Sequence, residues 1–223
     1  MRVSGEKGGT TALIMAAGQG TRMRSSLPKV MHPVCGRPMI VWPVVAARAA
    51  GISRIAVIVS PGSDFHETLP DDVETVVQEQ SDGTGGAVRA ALEVVRESEQ
   101  VLVLSGDVPL VSTDVISSLL EDHRDTGAAA TVMTAVLDDP GDYGRVVRDG
   151  AGEIEKIVEV KAAGDATAEE LEIREINSGI YCFRGQDLAE ALGSIGNDNA
   201  QGEYYLPDVL PVLRGAGLSV SAH

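Results

Sequence analysis

Apolar residues recur along this chain in two rhythms. Thr11 to Ala17 (TALIMAA), Arg54 to Val59 (RIAVIV) and Val101 to Leu104 are short, nearly unbroken apolar runs. Runs of that length without alternating polar positions predict strands covered on both faces, as inside a parallel sheet. Thr75 to Val77 predicts one more short strand. Between these runs the spacing turns helical. Met39 to Ala50 is Ala-rich and predicts a helix closed by Gly51, with Pro43 as a local kink. Gly85 to Arg96 places Ala87, Val88, Ala91, Leu92 and Val95 on one helical stripe. Thr113 or Asp114 can cap the next helix, which runs to about His123. Strand and helix therefore alternate through the first half. That alternation predicts an α/β fold with a Rossmann-like, doubly wound, mainly parallel sheet.

Beyond that point the pattern changes. Ala128 to Val136, Arg145 to Arg148, Ile154 to Glu159 and Glu175 to Phe183 predict strands, separated by Asp138–Gly144 (DDPGDYG) and an acidic helical stretch near Ala166 to Leu171. Ser178-Gly179 interrupts the last strand, and Pro211 is expected to kink a late helix. This half reads as a small antiparallel subdomain on the substrate side. With no internal repeat and no linker, residues 11–218 form one domain, preceded by a polar, mobile extension (1–10) and followed by a short tail (219–223).

Composition narrows the partners. Apolar residues are 43% of the 223, enough for a substantial core, whereas aromatics are 3% and net charge is −15. Few stacking rings and strong negative charge both argue against nucleic acid. No apolar run reaches the roughly 18 residues of a membrane span, and the first residues lack a signal-peptide core. A cytoplasmic protein is expected, with Cys35 and Cys182 as ordinary buried thiols. From Lys7 to Ser63 there is no Asp or Glu, yet Arg22, Arg24, Lys29, Arg37, Arg48 and Arg54 lie there. Two readings follow: helix surfaces that happen to lack acid, or a region that handles a small anion.

Gly18-Gln19-Gly20-Thr21-Arg22 follows the first strand, where backbone N–H groups can cradle phosphate oxygens. The turn is not a dinucleotide fingerprint, because Met23 occupies the third glycine position, and no Walker A loop is present. Arg22 and Lys29 supply fixed cations nearby, with Pro28 stiffening the approach to Lys29. Phosphoryl transfer needs such charge at the attacked phosphate and the departing pyrophosphate. Asp107 directly follows the Val101–Leu104 strand, at the end of a parallel sheet where ligands bind; a helix or turn cap is the other reading. His32, His66, His123 and His223 are scattered and suit no zinc site.

Several blocks then follow in order. Ala16-Ala17-Gly18-Gln19-Gly20-Thr21-Arg22-Met23 is followed by Pro28-Lys29-Val30-Met31-His32-Pro33. Next come Gln78-Glu79-Gln80-Ser81-Asp82-Gly83-Thr84-Gly85, Ser105-Gly106-Asp107-Val108-Pro109 and Asp142-Tyr143-Gly144-Arg145. Ile157-Val158-Glu159, Glu175-Ile176-Asn177-Ser178-Gly179 and Asn199-Ala200-Gln201-Gly202-Glu203-Tyr204-Tyr205 complete the series. Over about residues 11 to 218 this succession resembles the sugar-nucleotide pyrophosphorylases. Within them it resembles the uridyltransferase domain of the bacterial bifunctional N-acetylglucosamine-1-phosphate uridyltransferase/glucosamine-1-phosphate acetyltransferases.

The resemblance implies a nucleotidyltransferase that takes UTP and N-acetylglucosamine 1-phosphate as substrates and Mg²⁺ as cofactor. It implies Ala16, Ala17, Gly18 and Gly20 at the nucleotide, with Gln78, Gly83 and Thr84 on the uracil edge. Arg22 and Lys29 become the catalytic cations, and Asp107 and Asn199 the metal ligands. Gly144, Glu159 and Asn177 surround the sugar, although Asn177 also reads as a polar residue at a strand kink. Tyr143 and Tyr204 read as packing residues. The hexapeptide-repeat domain of the bifunctional family has no counterpart in this sequence, so neither acetyl transfer nor the trimer is carried over; a homo-oligomer of another kind stays open. Rival readings are another sugar-phosphate or alcohol-phosphate nucleotidyltransferase, or a non-catalytic nucleotide-sensing domain of the same fold.

Overall fold

Water reaches none of Ala12, Leu13 and Ile14, and the strand that holds them, β1 (Thr10–Met15), lies inside the main sheet. The computed structural model describes residues 9–18, 20, 23–63, 65, 67–161 and 164–223. After β1 come a two-stranded hairpin, β2 (Pro33–Val34) and β3 (Arg37–Pro38), then α1 (Val41–Ala49), β4 (Arg54–Val59) and β5 (Glu74–Val77). α2 (Gly83–Ala90), α3 (Leu92–Glu97), β6 (Gln100–Ser105), α4 (Thr113–Thr126) and β7 (Ala130–Val136) follow. The remainder is β8 (Arg145–Arg148), β9 (Ile154–Val158), α5 (Ala168–Leu171), β10 (Glu175–Arg184), α6 (Gly185–Leu192), α7 (Val209–Gly215) and β11 (Val220–Ala222).

The sheet order is β11-β7-β10-β6-β1-β4-β5, with β1, β4, β5 and β6 parallel and β10 antiparallel to both neighbours. Side chains alternate across it. Leu13, Ala56 and Val103 pack with Val88 of α2, Val95 of α3, Leu188 of α6 and Leu210 of α7. Ala12, Ile14, Ile55 and Leu102 pack with Val44 and Ala47 of α1 and Leu119 of α4. Two helical layers thus cover one sheet, which is the doubly wound arrangement expected. The chain leaves β1 for β4 on one side and returns to β6 on the other. This reversal opens a crevice at the carboxyl ends of β1 and β6. The hairpin of β8 and β9 joins β10 through Arg145 opposite Ile176, forming the small antiparallel part.

Local chemistry moved several expected boundaries. Residues 219–223, expected as a tail, carry β11, which pairs in parallel with β7 and covers an otherwise open edge. Thr10, expected in the extension, already pairs with Gln100. Pro43 and Pro211 are each third in their helix, where the N–H has no intrahelical partner, so neither breaks a bond as a kink would. Ser112 is the N-cap of α4, its side chain accepting from Val115 N–H, in place of Thr113 or Asp114. The single helix expected over Gly85–Arg96 is divided at Ala91. Cys182 is buried, and desolvation pushes its thiol up to about 12. Cys35 is exposed in the β2–β3 turn at φ 49, contrary to its expected burial. Among the described residues no helix is long and apolar enough to cross a membrane.

Candidate active site

Where β1 ends, Ala16, Ala17 and Gly18 run along a cavity of about 470 Å³. The N–H of Ala16 donates to Ile58 O at 2.8 Å, which keeps this segment on the sheet. β6 ends beside it, and the Gly106 N–H donates to Met15 O at 2.8 Å. A Cβ on Gly106 would stand 2.7 Å from Ile40 Cδ1 and 3.0 Å from Met15 O, so a larger residue would push this turn away from β1. The turn delivers Asp107 into the cavity, facing Lys29.

Lys29 Nζ donates to Asp107 Oδ2, and Ser105 Oγ donates to Asp107 Oδ1 at 2.5 Å. Burial pushes the Asp107 carboxyl up, but the hydrogen bonds from Lys29 and Ser105 and the Lys29 charge outweigh it. They hold the carboxyl below the usual carboxylate range. Asp107 is therefore an ionised group at the strand end. Gly20 fixes the approach of the glycine turn to Lys29: its φ is 58, and a Cβ there would lie 2.6 Å from Lys29 Cβ. Arg22, the other expected cation, lies outside the described residues, as do Gln19 and Thr21.

Gln78, Gly83 and Thr84 also line the cavity. Gln78 is 7% exposed; its Nε2 donates to Asp82 Oδ1 at 2.7 Å and to Gly83 O at 3.2 Å. Gly83 has φ 95, and a Cβ on it would sit 2.5 Å from Tyr204 O. Gly85 N–H donates to that same oxygen at 2.7 Å, and Tyr204 N–H donates to Asp82 O at 2.8 Å. Leu206 N–H donates to Thr84 Oγ1 at 3.0 Å. The start of α2 is thereby bound to the segment around Tyr204.

Gly144, Glu159 and Asn177 come together in a second group. Asn177 N–H donates to Gly144 O at 2.9 Å, and a Cβ on Gly144 would lie 3.5 Å from Glu159 Oε1. The Asn177 amide has internal partners: Nδ2 donates to Tyr181 Oη at 2.6 Å, and Oδ1 accepts from Gly179 N–H at 3.0 Å. Those bonds fasten the irregularity in β10 between Asn177 and Tyr181, where Gly179 has φ 79. Burial pushes the Glu159 carboxyl up; Lys161 opposes this, and Asp208, Asp165 and Glu203 reinforce it. Lys161 Nζ lies 3.8 Å from Glu159 Oε2, 3.5 Å from Glu203 Oε2 and 3.9 Å from the Tyr205 ring centroid.

Asn199 is placed differently from Asp107. Its Oδ1 accepts from Glu203 N–H at 3.1 Å and from Gln201 N–H at 3.2 Å, and its Nδ2 donates to Glu203 O at 2.6 Å. An amide so engaged closes its own turn, and Asn199 is not among the residues lining the cavity that holds Asp107. Sequence reasoning gave no role to Ser105, Asp82, Glu203 or Lys161; a hydroxyl two positions before the strand-end carboxylate was the available signal for Ser105. The acid-free stretch also divides. Arg48 pairs with Asp72 at 2.5 Å and Arg54 with Glu74 and Glu97, outside the cavity, whereas Lys29 enters it.

Known proteins resemble this chain in sequence and in fold. The chain is 46% identical to the bifunctional protein GlmU of Shouchella clausii over 96% of its own length and 47% of that protein. It is 45% identical to the protein of the same name from Bacillus cytotoxicus, over 95% of this chain and 46% of the relative. The Pediococcus pentosaceus protein, also named bifunctional protein GlmU, is 46% identical over 95% and 45%. The chain thus spans about half the length of these relatives. A crystal structure of UDP-glucose pyrophosphorylase complexed with UDP-glucose superposes with a TM-score of 0.76 at 18% identity, covering 96% of this chain and 90% of that one, so the two share a fold. The family description MobA-like NTP transferase domain matches residues 12–171, a stretch that holds Lys29, Gln78 and Asp107, and the chain belongs to that family.

Proposed function

We propose that this chain transfers a uridylyl group from UTP to N-acetylglucosamine 1-phosphate, forming UDP-N-acetylglucosamine and releasing pyrophosphate. The observation that carries this reading is the meeting of Lys29 and Asp107 at the ends of β1 and β6, in one cavity with Gln78, Gly83 and Thr84. The family and the likeness to the GlmU proteins support it. A phosphate oxygen of the sugar 1-phosphate attacks the α-phosphorus of UTP. As that bond forms, the bond from α-phosphorus to the oxygen bridging to the β-phosphate breaks, and its electron pair leaves with pyrophosphate. The nucleophile is already an anion, so no general base is required. What the site must supply is alignment and positive charge, which Lys29 provides, with Arg22 in the same role by resemblance. Ala16, Ala17, Gly18 and Gly20 give the nucleotide a close backbone approach, and Gly144 and Glu159 face the sugar.

The donor set suits Mg²⁺. Asp107 offers ionised, hard oxygen atoms in the cavity, and among the described residues no group of three His, Cys, Asp or Glu competes as a softer or fully protein-built site. Magnesium is commonly held by one or two carboxylates with substrate phosphates and waters. Asp107 would hold it here, and the ion when bound neutralises phosphate charge; Asn199 joins only if its turn releases the amide. Incubating the chain with a panel of nucleoside triphosphates and sugar 1-phosphates tests the reading. Pyrophosphate should appear fastest with UTP and N-acetylglucosamine 1-phosphate, stop with EDTA and return with added Mg²⁺. No release with that pair would overturn the proposal.

Asn177→Ala should raise the KM for N-acetylglucosamine 1-phosphate several-fold and leave the KM for UTP nearly unchanged. One hydrogen bond between neutral groups contributes about 0.5–1.5 kcal/mol. A lowered Tm with both KM values unchanged would instead confine Asn177 to holding the β10 irregularity.

A further inference from the structure

Asp82 stands at the N-cap of α2, a position where an aspartate ordinarily accepts from the backbone N–H groups of the first turn. Here its side chain makes no capping bond. It turns back over the helix instead: a Cβ on Gly86 would fall 1.8 Å from Asp82 Oδ1, so only glycine leaves room for the carboxylate. There Oδ1 accepts from Gln78 Nε2 at 2.7 Å.

That bond decides which way the Gln78 amide points. The two ends of a glutamine amide have nearly the same shape and are told apart by their partners. A carboxylate oxygen and a backbone carbonyl can only accept, and Nε2 faces both, Asp82 Oδ1 at 2.7 Å and Gly83 O at 3.2 Å. Reversing the amide would set oxygen against two oxygens. Both N–H groups are therefore committed, and among the described residues nothing donates to Oε1, which belongs to a side chain lining the cavity.

We infer that Asp82 is a positioning residue for base selection, which locks Gln78 with its acceptor oxygen toward the base and so selects a pyrimidine that carries a ring N–H at N3. Uracil has that donor. Cytosine presents a lone pair at the same atom, which would face Oε1 acceptor to acceptor. Thymine shares the N3–H, so the device separates uracil from cytosine and not from thymine. The inference rests on Gln78 reading the base edge in the proposed uridylyl transfer.

The test is calorimetric binding of UTP and CTP to wild type, Asp82→Ala and Asp82→Asn, with Tm recorded for each. Wild type should prefer UTP. Asp82→Ala should reduce the UTP:CTP preference at least about fivefold, because an unmatched polar pair is what discriminates. Asp82→Asn keeps an oxygen that can accept from Nε2 and should retain most of the preference. The clamp on Tyr204 uses the Asp82 backbone, so it survives in both variants. A merely structural role would weaken UTP and CTP alike. Preference unchanged in Asp82→Ala, or lost equally in both variants, would overturn the inference. Absence of any preference in wild type would instead sink the uridylyl reading beneath it.

Discussion

Lys29→Ala should lower kcat by about a hundredfold or more while the chain stays folded. Removing one preorganised charge or donor at a developing anion typically costs that much. Alanine keeps the Cβ against which Gly20 packs, so the glycine turn retains its neighbour. The ion pair adds a second expectation. Lys29 and Asp107 hold one another, so Lys29→Ala leaves Asp107 without its cation, and Asp107→Asn leaves Lys29 without its anion. Lys29→Ala should therefore not raise the Mg²⁺ concentration needed for half-maximal rate, whereas Asp107→Asn should raise it and also depress kcat. The double variant should be little slower than the worse single one, because groups that act together lose their effect together. Steady-state rates of pyrophosphate release across a Mg²⁺ series check all three. A kcat for Lys29→Ala within threefold of wild type would remove Lys29 from the chemistry.

The sequence displayed the buried strands best. Arg54–Val59 is a strand on the residues expected, because the five residues after Arg54 are apolar and buried on both faces, with no polar position among them to blur the pattern. Asp107 could be found from sequence for a related reason. A strand end inside a parallel sheet fixes where the next residues go, and the main chain alone carries Asp107 to the cavity. Elements that depend on distant partners were less visible. β11 exists because β7 offers an open edge, and three residues carry no periodicity of their own. The division at Ala91 leaves the apolar stripe intact, so hydrophobic spacing could not reveal it.

The same distinction runs through the site. Lys29 and Asp107 are neighbours by backbone geometry, but Asn199 depends on where its amide turns. Three local bonds within Asn199–Glu203 take it, a choice between turn and ligand that residue identity does not show. Asp82 is the reverse case: sequence reasoning gives it no role, and its bond to Gln78 becomes visible only when α2 is packed. The acid-free stretch was informative only in part. Its arginines on α1 and β4 meet acids from elsewhere in the chain, so net charge along a segment overstates the charge that faces a ligand.

His123 should make the fold lose stability as pH falls from about 6.5 to about 4. It lies on α4 at 1% exposure, with Nδ1 2.8 Å from Thr131 Oγ1, which is in turn 2.8 Å from Ser221 Oγ, and with Nε2 unpartnered among the described residues. Burial first, then the charges of Arg184 and Arg124, push the imidazole down from 6.5 to about 4. A depressed folded value means that the unfolded chain takes a proton the folded one refuses. The stability associated with His123 is therefore full above 6.5 and is lost as pH falls through the folded value. The gap corresponds to roughly 3 kcal/mol in total. Asp107 and Glu175, both held low by cationic partners, lose stability in the same direction, so wild type alone would mix several groups. His123→Leu separates them, because it removes this titration and leaves the Thr131–Ser221 pair in place. Urea unfolding of both proteins at intervals from pH 8 to about 4 should show wild type losing roughly 3 kcal/mol more than the variant, with the difference confined to that window. Parallel curves across the whole range would show that His123 does not titrate on unfolding.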